Sequence, residues 1–169
     1  MKIDDDHLYH GAALIQIAED THFTAINSLK LSGHALRAGY KINNDIAVYF
    51  KYASKPAGKY KEYVFTFSNA HLAELSEISR GNPKTLITLV CVKDREICCL
   101  TYSELQSLRS SRKNASGKEE SNLTVLVTIP KGKSMRVYVN TPGKRNSILG
   151  KPIVKSRNAF PSIIFDGAA

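Results

Sequence analysis

Between Lys131 and Arg157 the chain carries eight basic side chains and no acid: Lys131, Lys133, Arg136, Lys144, Arg145, Lys151, Lys155 and Arg157. Such a run builds a positive field. The chemistry it suits is electrostatic capture of a polyanion, with release of the polyanion's counterions. The charge is unevenly spread. Residues 1–100 hold 12 Lys/Arg against 11 Asp/Glu, whereas residues 101–169 hold 12 against 4, so nearly all of the net charge of +9 lies in the C-terminal part. No recognition helix bearing Asn or Gln accompanies these cations, so phosphate contact with little base preference is expected. No amphipathic basic helix or lipidation signal is present either, which argues against a membrane partner.

A second group of residues has the types that phosphoryl chemistry uses. Asp45-Ile-Ala-Val-Tyr-Phe-Lys51 sets an acid at the head of a strand-like run and a lysine near its end. A carboxylate can hold a divalent metal, and a lysine can steady an attacking water or the charge that develops on phosphorus. Glu19 or Asp20, at the end of an earlier helix, would supply a second acid. Alternation along the strand puts Tyr49, Lys51 and Ala53 on one face and Val48, Phe50 and Tyr52 on the other. Tyr49 and Lys51 are therefore expected to point together, toward solvent or a shallow site. Around them Tyr40, Tyr49, Tyr52, Tyr60 and Tyr63 interleave with Lys41, Lys51, Lys55, Lys59 and Lys61. Bases stack on such rings while ammonium groups take phosphates; the exposed face of an ordinary sheet has the same composition.

The remaining reactive residue types read as structural. Cys91, Cys98 and Cys99 lack the C-x-x-C spacing of a zinc site and sit in apolar runs, so buried free thiols are expected. An odd cysteine count, and a start Met1–Asp6 without an apolar signal-peptide core, lead us to expect a reducing, cytoplasmic setting. His7 and His10 share a helix face, but no third ligand stands at metal spacing. Hydrophobic residues make up 43% and charged residues 23% of 169 residues, enough for a core without disulfides. The longest apolar-biased run, Thr85–Val92, is too short to cross a membrane.

The elements that must position these residues follow from periodicity and punctuation. Leu8, Ala12, Ile15 and Ala18, widened by Leu14 and Ile17, predict a helix over about 7–19, with Asp6 as its cap. Residues 24–34 give no clear pattern. Strands are expected at 36–42, 46–53 and 62–67, the first two joined by a turn at Asn43-Asn44-Asp45, all three forming an antiparallel meander. Ser68 caps a helix over 69–80 whose apolar stripe is Leu72, Leu75 and Ile78. Residues 86–92 read as a strand buried on both faces, followed by a hairpin at Lys93-Asp94-Arg95 and a strand at 97–100. Thr101-Tyr102-Ser103-Glu104 is a capping box that opens a short helix through Leu108. Residues 110–122 offer only Ala115 to a core, which predicts a flexible linker or loop. Strands at 123–129 and 134–139 follow. An apolar end, Phe160–Phe165, is expected to dock back on the body. The class is α+β: a mixed, mainly antiparallel sheet flanked by helices, with a basic β/loop C-terminal extension. The expected organisation is a core at 1–109, a linker at 110–122, and an extension at 123–169 that packs back on the core.

The order helix, strands, helix, strand, strand, helix over residues 7–105, with Lys51 on a strand after Asp45, resembles the core of the PD-(D/E)XK, restriction-endonuclease-like superfamily. The resemblance implies catalytic roles for Asp45 and Lys51, a metal held by Asp45 and Glu19, and Mg²⁺ as the cofactor if the protein is a nuclease. The motif is degenerate. Tyr49 stands where the family's Glu-x-Lys triplet has its acid, and a phenol does not hold Mg²⁺ as a carboxylate does. The function expected is that of a non-catalytic or degenerate nuclease-like protein. It would bind DNA or RNA without sequence preference, through Tyr49 and the eight basic residues from Lys131 to Arg157. The alternatives are an active metal-dependent nuclease and an interaction module with an acidic protein partner.

Overall fold

Capping boxes, left-handed asparagines and apolar runs place most of the elements. The computed structural model describes residues 1–166. In chain order these form α1 (Asp5–Glu19), β1 (Ile26–Leu31), β2 (His34–Ile42), β3 (Ile46–Ala53), β4 (Tyr63–Ser68), α2 (Asn69–Gly81), β5 (Lys84–Cys91), β6 (Glu96–Thr101), α3 (Tyr102–Ser116), β7 (Asn122–Thr128), β8 (Met135–Tyr138), β9 (Ile153–Lys155) and α4 (Ser162–Phe165). Ser68 and Thr101 cap α2 and α3 in reciprocal boxes with His71 and Glu104. Asn43 and Asn44, at φ 55° and 76°, make the β2–β3 turn, a conformation asparagine tolerates better than most residues.

The strands form two sheets, one ordered β1-β2-β3-β5-β6 and the other β4-β7-β8-β9. Every pairing is antiparallel except β3 with β5. The fold is thus α+β, with a mixed, mostly antiparallel sheet flanked by helices. The expected meander is corrected at its third strand. β4 leaves the first sheet to pair with β7, from Tyr63 opposite Val127 to Ser68 opposite Asn122. Parallel strands need a crossover connection, and β4 with α2 supplies it between β3 and β5. No helix among the described residues is long and apolar enough to cross a membrane.

Two apolar clusters share the first sheet between them. On one face, Tyr49, Leu89 and Leu100 meet Leu72, Leu75 and Ile78 of α2, Leu105 of α3, and Phe65, Phe67, Val125 and Val137 of the second sheet. On the other face, Val48, Phe50, Leu86 and Cys99 meet Ala13 and Ile17 of α1 with Phe160 and Ile164. The chain after residue 122 is bound to the rest by the β4–β7 ladder and by the first cluster. The outer face of the second sheet exposes Val64, Thr66, Thr124, Arg136 and Val154.

Three local expectations are corrected. Asp4, not Asp6, caps α1. The helix buries His10, Ala13 and Ile17, and leaves Leu8, Ala12, Ile15 and Ala18 exposed. Finally, α3 runs on to Ser116, through residues expected to be irregular. That polar extension is tied down by charge. Arg112 donates to both oxygens of Glu120, at 2.5 and 2.8 Å, and to the carbonyl of Asn140 at 2.6 Å. Arg109 and Lys113 meet Glu119. The docking of the apolar end is as expected at Phe160 and Ile164, and all three cysteines are buried and free.

Two histidines in these interfaces make stability sensitive to pH. His10 is 5% exposed, with its ring stacked on Phe50 at 5.4 Å, and burial lowers its pKa against the smaller opposing pull of Asp6. His71 is lowered by burial first and then by the Lys51 charge. In the unfolded chain both titrate at about 6.5. Their contribution to stability is therefore complete above that value. It is lost as pH falls through 6.5 toward the lower folded values, because the unfolded chain takes up protons first. The urea midpoint should decline between neutral pH and about pH 5, and less steeply in His10→Phe. A midpoint that holds or rises over that range would contradict this.

Candidate functional site

The two groups singled out for phosphoryl chemistry lie apart. Asp45 is exposed in the β2–β3 turn, on the rim of a shallow cavity with His22, Asn43, Lys84, Phe165 and Asp166. Lys51 is six positions along the chain from it, a run of about 20 Å in a strand. Glu19 is exposed at the end of α1 and does not line that cavity. Among the described residues no three His, Cys, Asp or Glu side chains converge as metal ligands.

Tyr49 and Lys51 do share a face, as alternation requires, but it is the face turned toward α2. Tyr49 is 3% exposed, and its hydroxyl donates to Glu74 Oε2 at 3.3 Å. Burial, and secondly the Glu74 charge, push its pKa up. A ring buried this deeply presents no face on which a base could stack. Lys51 Nζ sits 3.4 Å from His71 Nδ1 and 5.0 Å from the centre of the Phe67 ring. The same Nδ1 accepts the Ser68 N–H at 3.2 Å, which assigns the proton of a neutral imidazole to Nε2. Burial lowers the Lys51 pKa, against a smaller upward pull from Glu74. This group is a hydrogen-bonded packing cluster between β3 and α2. Of the other interleaved tyrosines, Tyr63 is buried, Tyr40 and Tyr52 pack against Phe50 or Tyr9, and Tyr60 alone is largely exposed.

The eight basic residues divide into two sets. Lys155 and Arg157 are engaged. Lys155 Nζ meets Glu104 Oε1 at 2.6 Å with a side chain only 13% exposed. Arg157 reaches Glu96 at 3.4 Å and donates to the carbonyls of Lys133 and Pro130, which ties the β7–β8 turn to the chain after β9. Lys131, Lys133, Arg136, Lys144, Arg145 and Lys151 are exposed and make no salt bridge among the described residues. Their positions follow β8. Lys131 and Lys133 sit in the turn before it, and Arg136 points outward from it between Thr128 and Val154. Lys144 and Arg145 lie in the loop after it. Lys155 thus contributes to the fold. Lys155→Gln is expected to lower stability by about 1.5–3 kcal/mol, the worth of a hydrogen bond between charged groups. A thermal or urea midpoint equal to that of the parent would refute it.

Beside this basic track the outer face of the second sheet is hollowed into a groove of about 760 Å³. Val64 and Thr124 with Leu126 make its floor, and its walls come from the loops around Gly58, Ser121 and Asn140. The alternation of β4 and β7 explains the floor: the residues between these, Phe65 and Val125, go to the core. Glu62, 8% exposed, accepts the hydroxyl of Tyr138 at one side. On another side the hydrogen bonds from Arg112 hold the Glu120 carboxyl below its usual range. Asn122, Asn140 and Asn146 line the groove, and the buried Oδ1 of Asn140 has no hydrogen-bond partner among the described residues. Arg145 is the one residue of this lining that the charge pattern marks. Arg112 of α3, Asn122 of β7 and the loop that carries Asn140 and Asn146 are separate elements, so no local spacing joins the three. The Asn-and-Gly-bearing run Asn140-Thr-Pro-Gly-Lys-Arg-Asn146 is the only sequence signal for this wall.

Comparison with family models, with curated proteins and with solved structures gives no match to this chain.

Proposed function

We propose that this protein is a non-catalytic nucleic-acid-binding protein that holds phosphates along the basic track beside β8. The observation that carries this is the set of six exposed cations on β8 and in the loops that flank it, Arg136 on the strand and the other five in the loops, none with an acid partner among the described residues. Unpaired surface cations on and around an exposed strand give a polyanion both a field and an open approach. Backbone phosphates are the same in every sequence, so this track does not discriminate between sequences. The resemblance to the restriction-endonuclease-like superfamily enters only as a likeness of element order. Catalysis needs Asp45, an acid partner and Lys51 at one point, and six strand positions separate the first from the last.

The test is a mobility-shift titration with mixed-sequence DNA and RNA at low ionic strength, with polyglutamate as competitor, run with and without Mg²⁺ or Mn²⁺. Retarded, uncleaved nucleic acid that polyglutamate does not displace is expected. Displacement by polyglutamate at equal charge would favour an acidic protein partner. Cleavage abolished in Lys51→Ala would restore the nuclease.

A further inference from the structure

Resting on the nucleic-acid binding proposed above, we propose that Arg109, Arg112 and Lys113 of α3 continue the phosphate track past Arg145, and that the chain's own Glu119 and Glu120 occupy them until nucleic acid takes their place. The three cations stand three and four positions apart, so they lie along one face of the helix. That face abuts the track. Arg112 and Arg145 line the same groove, and Arg112 donates to the carbonyl of Asn140, at the head of the loop that carries Lys144 and Arg145. Residues 117–121 fold back over these cations. Arg112 grips Glu120 through Nε and Nη2, at 2.5 and 2.8 Å, the forked geometry that arginine also offers a phosphate. Glu119 takes Lys113 Nζ at 3.1 Å and Arg109 Nη2 at 3.6 Å. The two carboxylates thus hold the positions that phosphates would take. The segment is built to leave. Gly117, at φ 78°, is its hinge, in a conformation that glycine adopts without strain. No side chain of residues 117–121 is buried, so ion pairs and not packing hold Glu119 and Glu120 down. Exposed ion pairs are each weak, and a polyanion meets all three cations at once. Glu119 and Glu120 therefore reduce affinity without preventing binding, as an autoinhibitory contact made of charge.

Fluorescence anisotropy with a labelled mixed-sequence single strand, across a salt series, tests this. Glu119→Gln with Glu120→Gln should bind about tenfold more tightly than the parent, the worth of three exposed ion pairs that no longer have to be broken. Its slope of log affinity against log salt should be steeper by about 2, roughly 0.7 for each cation released. In the parent, salt loosens the glutamates as it loosens the phosphates, and the two effects offset. Asp5→Asn with Glu77→Gln removes the same charge from exposed acids that make no salt bridge among the described residues, and should gain far less, since it changes only the screened general field. Arg109→Gln with Lys113→Gln should erase most of the gain in the glutamate-neutralised protein and cost less in the parent, where Glu119 already claims both cations. Neutralising the glutamates also unties the far half of α3, so a measurement on the parent stands beside it. Cleavage after Glu119 and Glu120 by a glutamate-specific protease should quicken when the oligonucleotide is added to saturation. Three results overturn the inference and leave the β8 track standing: no gain beyond that of the Asp5 and Glu77 variant, an equal cost of the Arg109 and Lys113 substitutions in both backgrounds, or cleavage that is unchanged or slower. No salt-sensitive binding by parent or variant overturns both.

Discussion

Replacing Lys131, Lys133, Lys144 and Arg145 together by Gln is expected to weaken binding to every nucleic acid on the order of 100-fold at moderate ionic strength. The slope of log affinity against log salt should fall by about 3–4, close to one unit for each phosphate that is no longer neutralised. The four side chains are exposed and hold no partner among the described residues, so their loss removes field and not structure. Surface charges of this kind change stability little. Lys155→Gln with Arg157→Gln makes the opposite comparison. Those two cations are already engaged by Glu104 and Glu96, so the pair should lose stability and change the salt slope much less. A four-fold variant with an unchanged slope would mean that the positive face does not meet phosphate.

Phe65→Ala is expected to cost about 3–5 kcal/mol, the range for emptying a fully buried aromatic site. Phe65 is 1% exposed and fills the layer between the two sheets, opposite Val125. The same packing predicts that a fragment ending at residue 122 does not fold. It would strip β4 of the only ladder it forms among the described residues and uncover Phe65 and Phe67 together. Urea unfolding of the full chain should accordingly show one transition, with the same midpoint for probes in either sheet. A loss below about 1 kcal/mol in Phe65→Ala, far under the buried-aromatic range, would contradict this. So would a cooperative transition in the 1–122 fragment.

What could be read from sequence was what is local. Ser68 and Thr101 announce helix starts because their partners, His71 and Glu104, stand three residues on. Leu86–Val90 is apolar at nearly every position because neighbours flank it on both sides and layers cover both faces. The face of α1 was not legible. Its apolar residues span more than one stripe, and the choice falls to His10, whose ring fits against Phe50, over the larger Leu8 and Ile15. The far half of α3 has no apolar period to find; it is held by Glu119 and Glu120, across a turn at left-handed Gly117. The parallel pairing of β3 with β5, and the move of β4 into a second sheet, depend on contacts between residues dozens of positions apart. At the candidate site, the density of Lys and Arg showed in the composition. Which of those cations were occupied did not, because Glu104 and Glu96 lie 51 and 61 positions from their partners.

The central claim is that nucleic acid lies along the basic residues of β8 and its flanking loops. Amide hydrogen exchange, measured with and without a saturating single-stranded oligonucleotide at low salt, tests it most directly. Exchange should slow across residues 130–136 and 140–146 and remain unchanged in α1 and around Asp45. No slowing anywhere, or slowing confined to the neighbourhood of Asp45 or Lys51, would contradict it.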